Sequence, residues 1–158
     1  MFIFKKYILF FLILIFNFNV VNATPLVNKD WLKHKICNDN IKVLEVHRSK
    51  KDYELAHIPC SIFTNFYLDG WRETRKKMPL LMPSKSTLEA LIGSLGISNS
   101  DYVIIAAPGL GKYDMSEAAS IYFAFKYLGH KNISILNGGL KSWKEDWDND
   151  IETAYSVP

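Results

Sequence analysis

Two cysteines and four histidines are the thiols and imidazoles of this 158-residue chain, and they set the first limits on its chemistry. A cysteine is a useful nucleophile only as a thiolate, where nearby donors or charges stabilise it. Cys60 follows the turn His57-Ile58-Pro59 and is the candidate nucleophile on position alone. Buried cysteines behave as small hydrophobes, and that is the expectation for Cys60. Cys37 lies in a polar link, with only Lys33 and Lys35 as basic neighbours. A Cys37–Cys60 disulfide is allowed in an exported protein, but 23 positions of sequence do not place two Cα atoms, and the expectation is separate thiols. His34, His47 and His130 have no i,i+4 or paired-cysteine spacing, so no metal site follows. The run Pro108-Gly109-Leu110-Gly111-Lys112 offers a different chemistry. Gly109, Gly111 and Lys112 are candidates for a small anion-binding nest. Against this, Pro108 has no N–H and Asp114 brings negative charge to the start of the next helix; the simpler reading is a turn whose glycines only serve the backbone. Arg72, Arg75, Lys76 and Lys77 read as a solvated loop, with a docking surface for a partner or an anionic substrate as the alternative. Arg48 and Glu54 are positioned for a structural ion pair.

These residues need elements to hold them. Asp30 to Ile36 reads as a short helix, and Ile41 to Val46 as a β-branched, alternating strand. Lys50 to Ala56 is a short helix that must stop before Pro59, because a residue preceding proline disfavours the α region. Ser61-Ile62-Phe63 is a second strand, and residues 64–83, with Gly70, Pro79 and Pro83, read as a long loop. Ser86 and Glu89 have capping-box spacing ahead of the stripe Leu88, Leu91, Ile92 and Leu95, which Gly96 closes. Tyr102 to Ala107 is an uninterrupted apolar run, as in a strand covered on both faces. Asp114 and Glu117 can cap the next helix, which runs to Gly129. Residues 132–136 form a further strand, and Leu140 to Trp147 a last short helix. Strands alternating with helices over short links predict an α/β domain with a parallel sheet.

The front of the chain is different in kind. Lys5 and Lys6 precede ten unbroken apolar residues, Tyr7 to Phe16, and the small residues Val21 and Ala23 follow. Charged start, short apolar centre and small-residue exit predict a secretory signal peptide over residues 1–23. The run is short for a membrane span, so an uncleaved anchor over residues 7–18 is the alternative. Removing residues 1–23 takes the net charge from +3 to +1. The apolar share falls from 49% to about 44%, close to an ordinary globular domain. Charge this small and scattered carries no nucleic-acid footprint. One domain over residues 24–158 is expected, with its core at about 28–150 and a linker-like tail.

Four stretches in order resemble the rhodanese (sulfurtransferase) family: Val43-Leu44-Glu45-Val46-His47, then Tyr53 to Ser61, then Leu95-Gly96-Ile97-Ser98, then Leu136-Asn137-Gly138-Gly139-Leu140-Lys141-Ser142-Trp143. In the first, the family has an aspartate and an arginine where this chain has Glu45 and His47. Leu81 to Ser84 and Tyr127 to Ser134 further resemble the amino-terminal, usually non-catalytic domain of tandem thiosulfate or 3-mercaptopyruvate sulfurtransferases.

The resemblance implies a three-layer sandwich: a mainly parallel sheet of roughly five strands, covered by helices on both faces. It implies sulfur transfer through a loop cysteine, whose position falls near Ala107; no cysteine occurs after Cys60. His57, Pro59, Gly138, Gly139 and Trp143 are then structural motif residues, and no catalytic residue is assigned apart from Cys60 as a substitute. The expectation is an exported, periplasmic or secreted pseudoenzyme, a scaffold or one half of a split tandem protein. The alternative is an active thiosulfate or 3-mercaptopyruvate sulfurtransferase using Cys60 or a partner domain's cysteine. No cofactor and no nucleic acid are expected. The expected partners are a second rhodanese domain or a sulfur-carrying protein, with membrane contact only through an uncleaved signal peptide.

Overall fold

The computed structural model describes residues 23–144. Five parallel strands form the central sheet, in the order β1-β7-β6-β2-β3. They are β1 (Leu26–Val27), β2 (Ile41–Val46), β3 (Ile62–Thr64), β6 (Tyr102–Ala106) and β7 (Ile133–Leu136). The sheet centre is β6, whose side chains alternate between two cores because successive Cβ atoms point to opposite faces. Val103 and Ile105 join Leu44, Val46, Trp71, Leu88, Ile121 and Phe125 on one side. Ile104 and Ala106 join Val43, Ile58, Leu136, Leu140 and Trp143 on the other. Helices α3 (Lys85–Ser94) and α4 (Asp114–Tyr127) cover the first face; α1 (Lys29–Lys33) and α5 (Gly139–Lys144) cover the second. The short α2 (Lys50–Leu55) buries no side chain fully. The expected α/β sandwich with a five-stranded, largely parallel sheet is therefore present.

Several local expectations need correction. Strand β1 was not anticipated. Two residues are too short to show a period, and they become a strand only because β7 supplies a pairing edge, with Asn137 N–H donating to the Val27 carbonyl. Residues 64–83 are more than a loop, since they hold an antiparallel hairpin of β4 (Glu73–Arg75) and β5 (Met78–Leu81). Pro79 hid it, because a proline inside a strand is tolerated only at an edge. The cap of α3 is Ser84, whose hydroxyl accepts from Thr87 N–H, two residues earlier than the Ser86 spacing implied. Arg48 does not pair with Glu54, which lies 3.8 Å from Lys50 on the same helix. It pairs with Glu117, 69 positions away, because β2 and α4 open on the same end of the sheet.

The largest correction concerns the cysteines. Cys37 and Cys60 are disulfide-bonded, with Cα atoms 5.3 Å apart. Both are exposed, and both have positive φ, 59° and 60°. Cys60 takes a left-handed backbone in the turn before β3 and is exposed where burial was expected. The signal-peptide and tail expectations, residues 1–22 and 148–158, lie outside the described residues, as does the end of the last helix beyond Lys144. No helix among the described residues is long and apolar enough to cross a membrane.

Candidate functional site

The loop from β6 to α4 begins at Ala107, which is buried, and is held by the start of α5. Leu140 N–H donates to the Ala107 carbonyl at 2.8 Å, and Lys141 N–H to the Pro108 carbonyl at 3.1 Å. This contact is close enough to exclude side chains. A Cβ at Gly139 would overlap the Ala107 carbonyl oxygen, and one at Gly109 would overlap the Gly138 carbonyl oxygen; both glycines also have positive φ. The Gly138-Gly139 pair is thus a backbone clamp on the loop.

Beyond the clamp, the loop turns its N–H groups inward. Leu110 N–H and Gly111 N–H both donate to Asp114 Oδ2, at 2.9 and 2.8 Å. Asp114 is the first residue of α4 and is 6% exposed. A carboxylate there is favoured twice, by the two amide donors and by the helix N-terminus. The two loop N–H groups are thus taken by the chain's own carboxylate. Gly111 donates to it, Gly109 serves the clamp, and the exposed Lys112 ammonium lies 4.9 Å from the Tyr113 ring centroid. Asp114 does not cap the helix as expected, because its oxygen faces back into the loop. The clue was its position three residues after Gly111, within side-chain reach of that turn.

A cleft of about 450 Å³ opens beside the loop, lined among others by His47, Arg48, Asp52, Asp114, Lys141 and Lys144. His47 Nε2–H donates to Glu45 Oε2 at 2.7 Å, and Glu45 Oε1 accepts Ile58 N–H. Glu45 is fully buried, so one carboxylate links strand β2, the cleft wall and the turn before Pro59. His57 sits in that turn, stacked on Tyr53 at 4.1 Å and donating Nδ1–H to the Tyr53 carbonyl. Tyr53 O–H in turn donates to the Ser61 carbonyl, just past Pro59. Trp143 is buried in the second core. Arg48 Nη2 donates to Glu117 Oε1, and Tyr67 O–H donates to the same oxygen at 2.9 Å. That hydrogen bond, with burial and the Glu117 charge, raises the Tyr67 pKa above its ordinary value.

Chemically, the loop has no thiol, and its two inward N–H groups are engaged. Cys60, the substitute nucleophile, is oxidised to a disulfide with Cys37, and the described residues hold no free cysteine. Among the described residues no cluster of His, Cys, Asp or Glu is placed to hold a metal ion.

Residues 28–146 match the family model of the rhodanese-like domain. The thiosulfate/3-mercaptopyruvate sulfurtransferase 1, mitochondrial, of Arabidopsis thaliana is 30% identical over 146 residues, covering 87% of this chain and 37% of that protein. The sulfur carrier protein TtuD of Thermus thermophilus is 30% identical over 121 residues, covering 77% of this chain and 40% of its own. The chain spans about two fifths of the length of these relatives. The crystal structure of SseA from Escherichia coli, a 3-mercaptopyruvate sulfotransferase, superposes with a TM-score of 0.66 at 22% identity, over 86% of this chain and 54% of that one. That likeness is one of fold.

Proposed function

This chain belongs to the rhodanese-like domain family, and we propose that it is a non-catalytic member that serves a sulfur-handling partner as a scaffold. One observation carries the reading: the loop where the family's chemistry would reside has no cysteine near Ala107, and Asp114 takes the N–H groups of Leu110 and Gly111. Sulfur transfer by a loop thiol requires a nucleophile and donors free to stabilise its anion. Here the first is missing and the second are engaged. The partner is a second rhodanese domain or a sulfur carrier, as the tandem sulfurtransferases and the sulfur carrier protein among the relatives suggest. The stretches Leu81 to Ser84 and Tyr127 to Ser134 favour the amino-terminal half of a tandem protein as its counterpart.

Export is part of the same proposal. The pattern of residues 1–23 supports it, and so does a disulfide between exposed cysteines, which persists in oxidising compartments. Fractionation of cells expressing the full chain should place it outside the cytoplasm with residues 1–23 removed.

The deciding assay is thiosulfate:cyanide sulfur transfer by the purified chain. No turnover above the uncatalysed rate is expected; appreciable turnover overturns the proposal. The Ala107→Cys variant should stay inactive while Asp114 fills the nest. Ala107→Cys with Asp114→Ser should take the outer sulfur of thiosulfate as a persulfide, breaking the thiosulfate S–S bond and releasing sulfite, visible as a mass increase on that cysteine.

A further inference from the structure

The hairpin β4–β5 stands outside the five-stranded sheet, and its backbone is costly. Its tip residues Lys76 and Lys77 have φ of 49° and 67°, and Leu80 has φ of 60°. Left-handed positions of a tight hairpin favour asparagine and glycine; lysines there are a penalty that local structure does not explain. What these residues have in common is display. Lys76 and Lys77 are exposed, and Met78 and Leu80 are more than half exposed although apolar. Leu80, Tyr67 and Tyr113 border a groove of about 310 Å³ with Phe66 at its floor. The floor is fixed in place: the Arg72 guanidinium lies 5.5 Å from the Phe66 ring centroid and donates to the Trp71 and Ser120 carbonyls.

The charged residues lining the groove, Arg72 and Glu117, are both engaged, whereas cations flank it on the hairpin tip and beside Tyr113. Arg75 is paired with Glu73, and Glu117 is taken by Arg48 and Tyr67. Among the described residues no carboxylate pairs with Lys76 or Lys77 at the hairpin tip, nor with Lys112 beside Tyr113. A surface with an aromatic groove and unmatched cations fits a segment that is apolar at one point and acidic around it. We propose that this face docks an acidic protein segment of the partner, with an aromatic or leucine side chain in the groove and Asp or Glu residues against Lys76, Lys77 and Lys112. The groove has side-chain dimensions and a rigid aromatic floor, which favours a protein segment over a lipid surface. The inference rests on the reading of the chain as a non-catalytic module with a partner, and it assigns that partner's contact chemistry.

The test uses the purified chain and a short synthetic peptide with one phenylalanine flanked by glutamates. Its controls replace phenylalanine by serine in one peptide and glutamate by lysine in another. Binding is followed by fluorescence anisotropy and by amide shifts. The expected result is binding of the acidic aromatic peptide alone, with shifts at Tyr67, Lys76, Lys77, Leu80 and Tyr113. Lys76→Asn with Lys77→Gly suits the left-handed turn better than the native pair, so it keeps the fold while weakening binding by about tenfold or more. Leu80→Asn should do likewise. Equal binding of the serine control, unchanged binding by these variants, shifts confined to Lys141 and Lys144, or capture by phosphatidylglycerol vesicles with no peptide binding would each overturn the inference. Sulfur-transfer assays on the same preparation keep the two proposals apart: turnover sinks the non-catalytic reading, and loss of peptide binding without turnover sinks only this surface.

Discussion

Asp114 takes two inward amide N–H groups at a helix start, a role that elsewhere falls to a bound anion. Replacing it by alanine leaves both donors unsatisfied and removes a favourable helix-end charge. Asp114→Ala is therefore expected to cost about 2 kcal/mol, read as a lower urea midpoint. Added sulfate should then raise the melting temperature of the variant more than that of the native chain, because the emptied nest can accept an anion. The nearby Tyr67 offers a second measurement. Its pKa is raised chiefly because its O–H donates to Glu117, so the neutral phenol is favoured in the folded state. The stabilisation is present below the ordinary tyrosine range and is lost as pH rises through the folded-state value. Ultraviolet titration should show Tyr67 ionising late, and Glu117→Gln should lower its pKa. At this scale the sequence displayed the ingredients, Gly111 and Asp114 three apart, but not the direction of the carboxylate. That direction depends on the turn between them.

The elements were more legible. Strand β6 declared itself as a continuous apolar run, because both its faces are buried, and β2 through alternation and β-branching. The hairpin β4–β5 and strand β1 did not, since neither has a period long enough to read, and each exists through pairing with a partner strand. The clamp between the β6–α4 loop and the start of α5 makes the sharpest claim at this level. Gly139→Ala forces a methyl group onto the Ala107 carbonyl at a residue with φ of 60°. The expected loss is about 3 kcal/mol or more, measured by chemical denaturation, with backbone shift changes carried across to Ala107 and Pro108.

On the scale of the whole molecule, the Cys37–Cys60 disulfide joins the link after α1 to the turn before β3. Closing a loop of this size restricts the unfolded chain by about 3 kcal/mol in the chain-entropy account. Cys37→Ala with Cys60→Ala should lower the unfolding free energy by that order while leaving the peptide-docking face intact, since neither cysteine lines the groove. Alkylation before and after reduction should find two reactive thiols only after it. By itself, the sequence determined the strands and helices of the central sandwich apart from β1, because burial on one or two faces writes a period into a continuous stretch. It also determined that no cysteine lies beyond Cys60, and with it the missing thiol of the loop. Only the tertiary structure decided that Cys37 meets Cys60, that Arg48 answers Glu117, and that Asp114 takes the two loop N–H groups. Each of these depends on where backbone turns direct a side chain in space, through left-handed residues and clamped loops whose geometry leaves no periodic trace in the order of amino acids.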